Sequence, residues 1–168
     1  MSATTAEFSF SEMLDANERE TAKWQIWFEH QPSELLDLPL GIAMAKDVRE
    51  FLLHIFAVEL RYAERLTGSP VTEYESLPTG SVQELFDVGA RARGLFRQYL
   101  SSVTDADLAS IQEFPTRTAG VLRASKRKMF AHAMLHGLRH WAQLATALRE
   151  KGHGTDWGHD FLFSDVMS

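Results

Sequence analysis

The sequence of 168 residues contains no cysteine. Disulfide bonds, thiolate metal ligands and a cysteine nucleophile are therefore excluded. Basic residues are also scarce, with 17 Lys and Arg against 23 Asp and Glu and a formal net charge of −6. A general polyanion-binding protein needs the opposite balance, so we expect no nucleic-acid partner.

Long apolar runs are missing as well. The most apolar stretch, LLHIFAVEL, is interrupted by His54 and Glu59, which is incompatible with a membrane-spanning helix. The N-terminal stretch MSATTAEFSF lacks the charged segment and apolar segment of a signal peptide. The sequence therefore predicts no membrane association and a cytoplasmic location.

What the chain does contain is a bulky apolar fraction arranged with helical periodicity. Apolar residues make up 45% of the sequence and include 4 Trp and 11 Phe, enough for the core of one domain spanning residues 1–168. Capping-box spacing at Ser9 and Glu12, and again at Ser81 and Glu84, marks two helix starts. The pattern predicts long helices over about 10–29, 47–66, 81–100 and 122–151.

The connections between these helices are predicted to be mostly irregular. Residues 31–45 carry two prolines and a glycine and are expected to have no regular structure. Residues 104–108 are expected to form a single helical turn, and 110–121 a short irregular hairpin. The aromatic tail after residue 152 is expected to pack against the body. Four long helices make an all-α four-helix bundle the predicted fold class.

His132, His136 and His140 recur every fourth residue in the last predicted helix. That spacing places all three imidazoles on one stripe, where two ring nitrogens can converge on one divalent ion. The stripe adjoins an apolar sector and should face the bundle interior or a cleft. The alternative interpretation is a set of buried histidines whose nitrogens are satisfied by hydrogen bonds.

Two further clusters of polar residues are candidate binding sites. The tail motif HGTDWGHD offers a second possible metal site, but its glycines provide no rigid platform; its candidate ligands are His153, Asp156, His159 and Asp160. The basic run RASKRK at residues 123–128 is open to two interpretations, a binding site for an acidic cosubstrate or partner and a solvated helix face.

A helix carrying LLHIFAVELRYAERL followed by a later helix carrying HAMLHGLRHWAQL resembles the DinB/YfiT-like superfamily of bacterial four-helix metalloproteins. The resemblance covers most of the chain. It implies that one histidine of the second helix and a spaced pair of the fourth bind a divalent metal, which here are His54, His136 and His140. His132 falls where the family often has another histidine outside the set of ligands. It could be a hydrogen-bond donor behind the ligands, a proton shuttle or a core residue, and the last interpretation is favoured.

Other residues near this pattern are candidates for supporting roles. Gln143 shares the histidine stripe and could order a ligand or water, or be a buried amide. Glu59 points away from His54 but could orient an imidazole of a neighbouring helix, the alternative being a solvated or salt-bridged carboxylate. Four aromatic residues could wall a pocket above the metal, although aromatics at helical spacing more often belong to the core: Trp24, Trp27, Tyr62 and Trp141. Family members commonly place Arg-Gly-Gln after the last ligand, whereas this sequence has Trp-Ala-Gln.

Three imidazoles without a thiolate suit Zn²⁺, Ni²⁺, Fe²⁺ or Mn²⁺ and do not distinguish among them. Three ligands would leave a coordination position open, as in catalytic zinc sites. The resemblance implies a metal-dependent enzyme acting on a small molecule, either a transferase that uses a low-molecular-weight thiol or a hydrolase. The alternative is a non-catalytic stress-response or ligand-sensing protein with the same metal. The resemblance also implies a homodimer.

Overall fold

The structure is a computed structural model that describes residues 8–42, 45–117 and 119–166. It confirms the predicted all-α four-helix bundle. Two short antiparallel hairpins supplement the helices. The elements in chain order are α1 (Phe10–Glu29), β1 (Pro39–Ile42), β2 (Ala45–Asp47), α2 (Val48–Thr67), α3 (Val82–Leu100), α4 (Asp105–Ala109), β3 (Ile111–Pro115), β4 (Val121–Ser125) and α5 (Lys126–Glu150), with 3₁₀ turns at Ser33–Asp37, Tyr74–Ser76 and Phe161–Phe163.

The helix starts follow the capping signals in the sequence. Ser9 accepts from the backbone N–H of Glu12, and the Glu12 carboxylate accepts from the backbone N–H of Ser9, so the predicted capping box is complete. Ser81 caps α3 through the backbone N–H of Glu84. The Glu84 carboxylate, however, accepts from the backbone N–H of Gly80. The second helix start is therefore predicted correctly, while its reciprocal bond is displaced by one residue.

Two connections are more regular than their sequence predicts. Within residues 31–45, expected to be irregular, a 3₁₀ turn precedes strand β1, which pairs with β2. The predicted hairpin near 110–121 is present, but its second strand extends to Ser125. Residues 122–125 therefore pair with β3 and do not open the last helix. Helix α5 begins at Lys126, where the Ser125 hydroxyl accepts from the backbone N–H of Lys128.

Helix α2 lies at the centre of the bundle, packed against both α3 and α5. Gly89 of α3 makes room for this packing, because a Cβ there would lie 2.5 Å from Cδ1 of the buried Phe56 ring. A Cβ at Gly94 would meet open space, so only the first of these two glycines reflects close packing. No helix of the described ranges is both long enough and apolar enough to cross a membrane.

The C-terminal tail packs against α1 through part of its aromatic content. The rings of Trp157 and His159 contact Trp24 at centroid distances of 5.3 and 5.1 Å. Leu162 and Phe163, by contrast, are exposed. The expectation that the whole tail packs against the body therefore holds for its first half and is wrong for these two side chains.

Candidate metal centre

The histidines converge where α2 and α5 run side by side in opposite directions. His54 projects half-buried from α2, while His136 and His140 are buried one turn apart on α5. The Nε2 atom of His136 lies 3.1 Å from Nε2 of His54 and 3.0 Å from Nε2 of His140. One ligand nitrogen of each residue lies within 4.8 Å of the other two. The structure thus brings together the three residues that the sequence singles out.

These separations fit a shared cation. Two nitrogens bound at about 2.1 Å to one ion, at angles between about 90° and 109°, are separated by about 3.0–3.4 Å. The two contacts of His136 fall in this range. Within residues 8–42, 45–117 and 119–166, no other group of three candidate ligand side chains has its ligand atoms this close together.

Burial keeps the three imidazoles neutral. Burial lowers the pKa of His136 to about 2, with a smaller contribution in the same direction from repulsion by any neighbouring histidine that is protonated. Burial also lowers the pKa of His140 to about 4, despite a hydrogen bond with Gln143 that favours the protonated ring. The pKa of His54 is lowered by burial and then by the charges of Arg117 and Arg139. At neutral pH the rings therefore keep lone pairs available to a cation.

Gln143 fixes the orientation of His140. Its Oε1 lies 2.6 Å from Nδ1 of His140, so Nδ1–H donates to the amide oxygen and the lone pair resides on Nε2, which faces the other histidines. Gln143 itself is exposed. The alternative interpretation of this residue as a buried amide is therefore wrong, and its contact matches that of a side chain that orders a ligand.

Arg139 is a neighbour that the sequence reasoning missed. Its Nη2 lies 3.2 Å from Nε2 of His140, close enough to donate to the same lone pair. Successive helical residues point about 100° apart, so helix geometry does not predict that the side chains of residues 139 and 140 approach the same point. A guanidinium thus stands beside the site although Trp141 occupies the place of the family's arginine.

The remaining candidates have other surroundings. His132 is exposed and lies one turn before the cluster, its ring 5.7 Å from that of His136; the interpretation as a core residue is wrong. Glu59 is fully buried and not solvated: it accepts from Asn17 at 3.2 Å and lies 3.8 Å from Arg93. Burial raises the pKa of Glu59 to about 7.

Trp141 lies in the core, stacked on Trp24 at 5.2 Å, and is not among the residues that line the cavity beside the histidines. The tail does not assemble a second metal site among the described residues. His159 instead lies 2.6 Å from the carboxylate of Glu20 and 2.7 Å from the hydroxyl of Thr155.

A cavity of about 940 Å³ adjoins the histidine cluster. Helices α2 and α5 form two of its walls, and residues of β2, β3 and β4 complete it. His54 and His136 reach its surface, as do His132 and Tyr62. Of the aromatic residues proposed to wall a pocket, Tyr62 therefore has that position, while Trp24 and Trp141 are core residues.

The comparison with known proteins agrees with this architecture. No curated protein matches the chain. The profile of the DinB family matches residues 1–164, nearly the whole sequence. The match, the bundle and the position of the histidines lead to one conclusion: the chain belongs to the DinB family.

Proposed function

We propose that the protein is a metal-dependent enzyme that binds a divalent transition metal through His54, His136 and His140. The observation that carries the proposal is the convergence of one ring nitrogen from each of the three histidines within 4.8 Å, in a group that contains no carboxylate among the described residues. Neutral imidazoles with depressed pKa values suit Zn²⁺, Ni²⁺, Fe²⁺ or Mn²⁺. Gln143 supports the proposal because it holds His140 in the tautomer that a ligand requires.

When bound, such an ion would supply a Lewis acid that lowers the pKa of a water or thiol at its open position. The chain supplies the rest. His54 and His136 direct their nitrogens to the surface of the cavity, where a small molecule would lie. Arg139 contributes a positive charge 3.2 Å from His140, which favours an anionic reactant beside the cluster. The anionic reactant could be the thiolate of a low-molecular-weight thiol or a hydroxide formed from water.

A catalytic role is favoured over a purely structural metal by two features. A structural site closes its coordination shell with a fourth side chain, whereas the group here contains three residues among those described. The site also adjoins a cavity large enough for a substrate. A cytoplasmic location and a homodimer remain predictions.

The experiment compares His136→Ala with His132→Ala, two identical changes one turn apart on the same helix. We expect wild type and His132→Ala, purified without a histidine tag, to contain one equivalent of metal by elemental analysis, and His136→Ala to lose it. Turnover of electrophiles with thiols, and of esters and amides with water, is then measured on all three proteins. Loss of metal from both variants, or none from either, would contradict the site.

Failure of metal-loaded wild type to turn over any of these substrates would defeat the enzyme claim and leave the metal site intact. Retained turnover in metal-free His136→Ala would show that any activity arises elsewhere.

A further inference from the structure

The end of the cavity away from His54 and His136 carries three basic residues. Arg61, Arg65 and Lys128 line the cavity, and none of them takes part in an ion pair among the described residues. The other cavity arginines differ in this respect, since each has a carboxylate within 4 Å: Arg49 with Asp37, Arg117 with Glu75 and Arg123 with Glu113.

The three cations gather at one end because α2 and α5 are antiparallel. Arg61 follows His54 by seven residues, which is about 10 Å along an α-helix. Lys128 precedes His136 by eight residues, about 12 Å along α5 in the opposite direction. The contact between the rings of Tyr62 and His132, at 5.2 Å, joins the two helices beside Arg61 and agrees with this alignment.

Arg65 is held in place, so its charge cannot simply turn away. Its Nη1 donates to the carbonyl of Arg61 at 3.0 Å and its Nη2 to the carbonyl of Pro115 at 3.1 Å. Its guanidinium also lies 5.3 Å from the centroid of the Phe114 ring. Burial and the neighbouring charge of Arg61 lower the pKa of Arg65, and this outweighs the opposite effect of Tyr62 and Glu64. An anion bound beside Arg61 and Arg65 would relieve the repulsion between their charges.

Apolar residues also line the cavity. Side chains of Val58, Phe114, Leu122 and Met129 belong to its wall, and the ring of Phe114 lies beside the guanidinium of Arg65. The cavity therefore combines basic residues, an apolar wall and the histidine cluster over a length of about 10–16 Å along α2. This positive concentration lies in a chain whose formal net charge is −6, so a general attraction for anions does not account for it.

We propose that the cavity binds an elongated amphipathic anion, an organic carboxylate or phosphate ester. Its charged group lies among Arg61, Arg65 and Lys128, its apolar portion lies along Phe114 and Leu122, and its opposite end reaches the histidines. Only the assignment of that opposite end as the reacting end rests on the proposed function. Binding of the anionic group depends on the arginines and the lysine and is independent of any metal.

The test uses the full chain freed of metal with a chelator, so that the metal site cannot contribute. Bound anilinonaphthalene sulfonate reports occupancy of the cavity by its fluorescence, and octyl phosphate and octanol compete for it. Lys128→Gln is compared with Arg127→Gln, the same loss of one charge at the neighbouring exposed residue outside the cavity. Circular dichroism confirms that both variants retain the fold.

We expect octyl phosphate to displace the probe at a concentration at least about tenfold below that of octanol, and its advantage to shrink as salt is added. Lys128→Gln should weaken octyl phosphate binding about tenfold, and Arg127→Gln should leave it within about twofold of wild type. Equal potency of the two competitors, or equal affinity of the two variants, would overturn the proposal. Neither measurement depends on metal content or turnover. Failure of the anion-binding proposal can therefore be distinguished from failure of the proposed enzymatic function.

Discussion

Substitution of Gln143 provides a direct test of the proposed metal site. Its amide oxygen accepts from Nδ1 of His140 at 2.6 Å, and Gln143→Leu removes the acceptor at similar volume. Loss of such a partner typically lowers metal affinity about 10- to 100-fold. Because Gln143 is exposed, water can replace part of the lost bond, so we expect about tenfold, or about 1.4 kcal/mol of binding free energy.

The assay is competition for Zn²⁺ between the metal-free protein and a chromophoric chelator. Gln143→Glu should bind as tightly as wild type or more tightly, because a carboxylate accepts from Nδ1–H more strongly than an amide. Gln98→Leu makes the same change as Gln143→Leu at an exposed position of α3 and should leave the affinity unchanged. Wild-type affinity in Gln143→Leu, or weaker binding by Gln143→Glu than by Gln143→Leu, would refute the orienting role.

Three further predictions concern stability. Gly94→Ala should raise the free energy of unfolding by about 0.5–1 kcal/mol, because alanine favours the helix more than glycine does. Gly89→Ala should lower it by about 1–3 kcal/mol, because the added Cβ meets the Phe56 ring. Urea unfolding measures both changes, and the same sign for the two would contradict the packing argument. Burial raises the pKa of Glu59 from 4.5 to about 7, so its contribution to stability is fully present below about pH 4.5 and declines by up to about 3 kcal/mol as the pH rises to about 7. The difference in unfolding free energy between wild type and Glu59→Gln should therefore fall between about pH 5 and about pH 8, and a constant difference would argue against a buried protonated carboxyl. Added Zn²⁺ should raise the melting temperature of wild type and leave that of His136→Ala unchanged, as differential scanning calorimetry can measure.

Much of the bundle followed from local signals. The predicted range of α1 coincides with Phe10–Glu29, because its N-cap and apolar period are properties of neighbouring residues. The start of α5 was predicted four residues early because the strand formed by Val121–Ser125 depends on pairing with Ile111–Pro115. Strand pairing is a contact between separate segments, and helical periodicity contains no information about it.

The candidate site also combines features that the sequence predicts with features that it leaves open. The spacing of His136 and His140 on one helix face is determined by helix geometry alone, and family resemblance suggested His54 as the third member. The sequence left open whether His132 belongs to the core, whether Glu59 is solvated and whether Trp141 lines a pocket. In the structure, His132 lies at an exposed wall of the cavity. Glu59 is buried in contact with Asn17 and Arg93, and Trp141 lies in the aromatic core.

The sequence by itself therefore determined the helices, their caps and the stripe of imidazoles, since each depends on residues within a few turns of one another. Only the tertiary structure decided that His54 of α2 meets His136 and His140 of α5, and that Lys128 of α5 lines the same cavity as Arg61 and Arg65 of α2. The physical reason is that these groups meet through the antiparallel packing of α2 against α5. Distances across that interface depend on the shapes of the whole core, which no local pattern specifies.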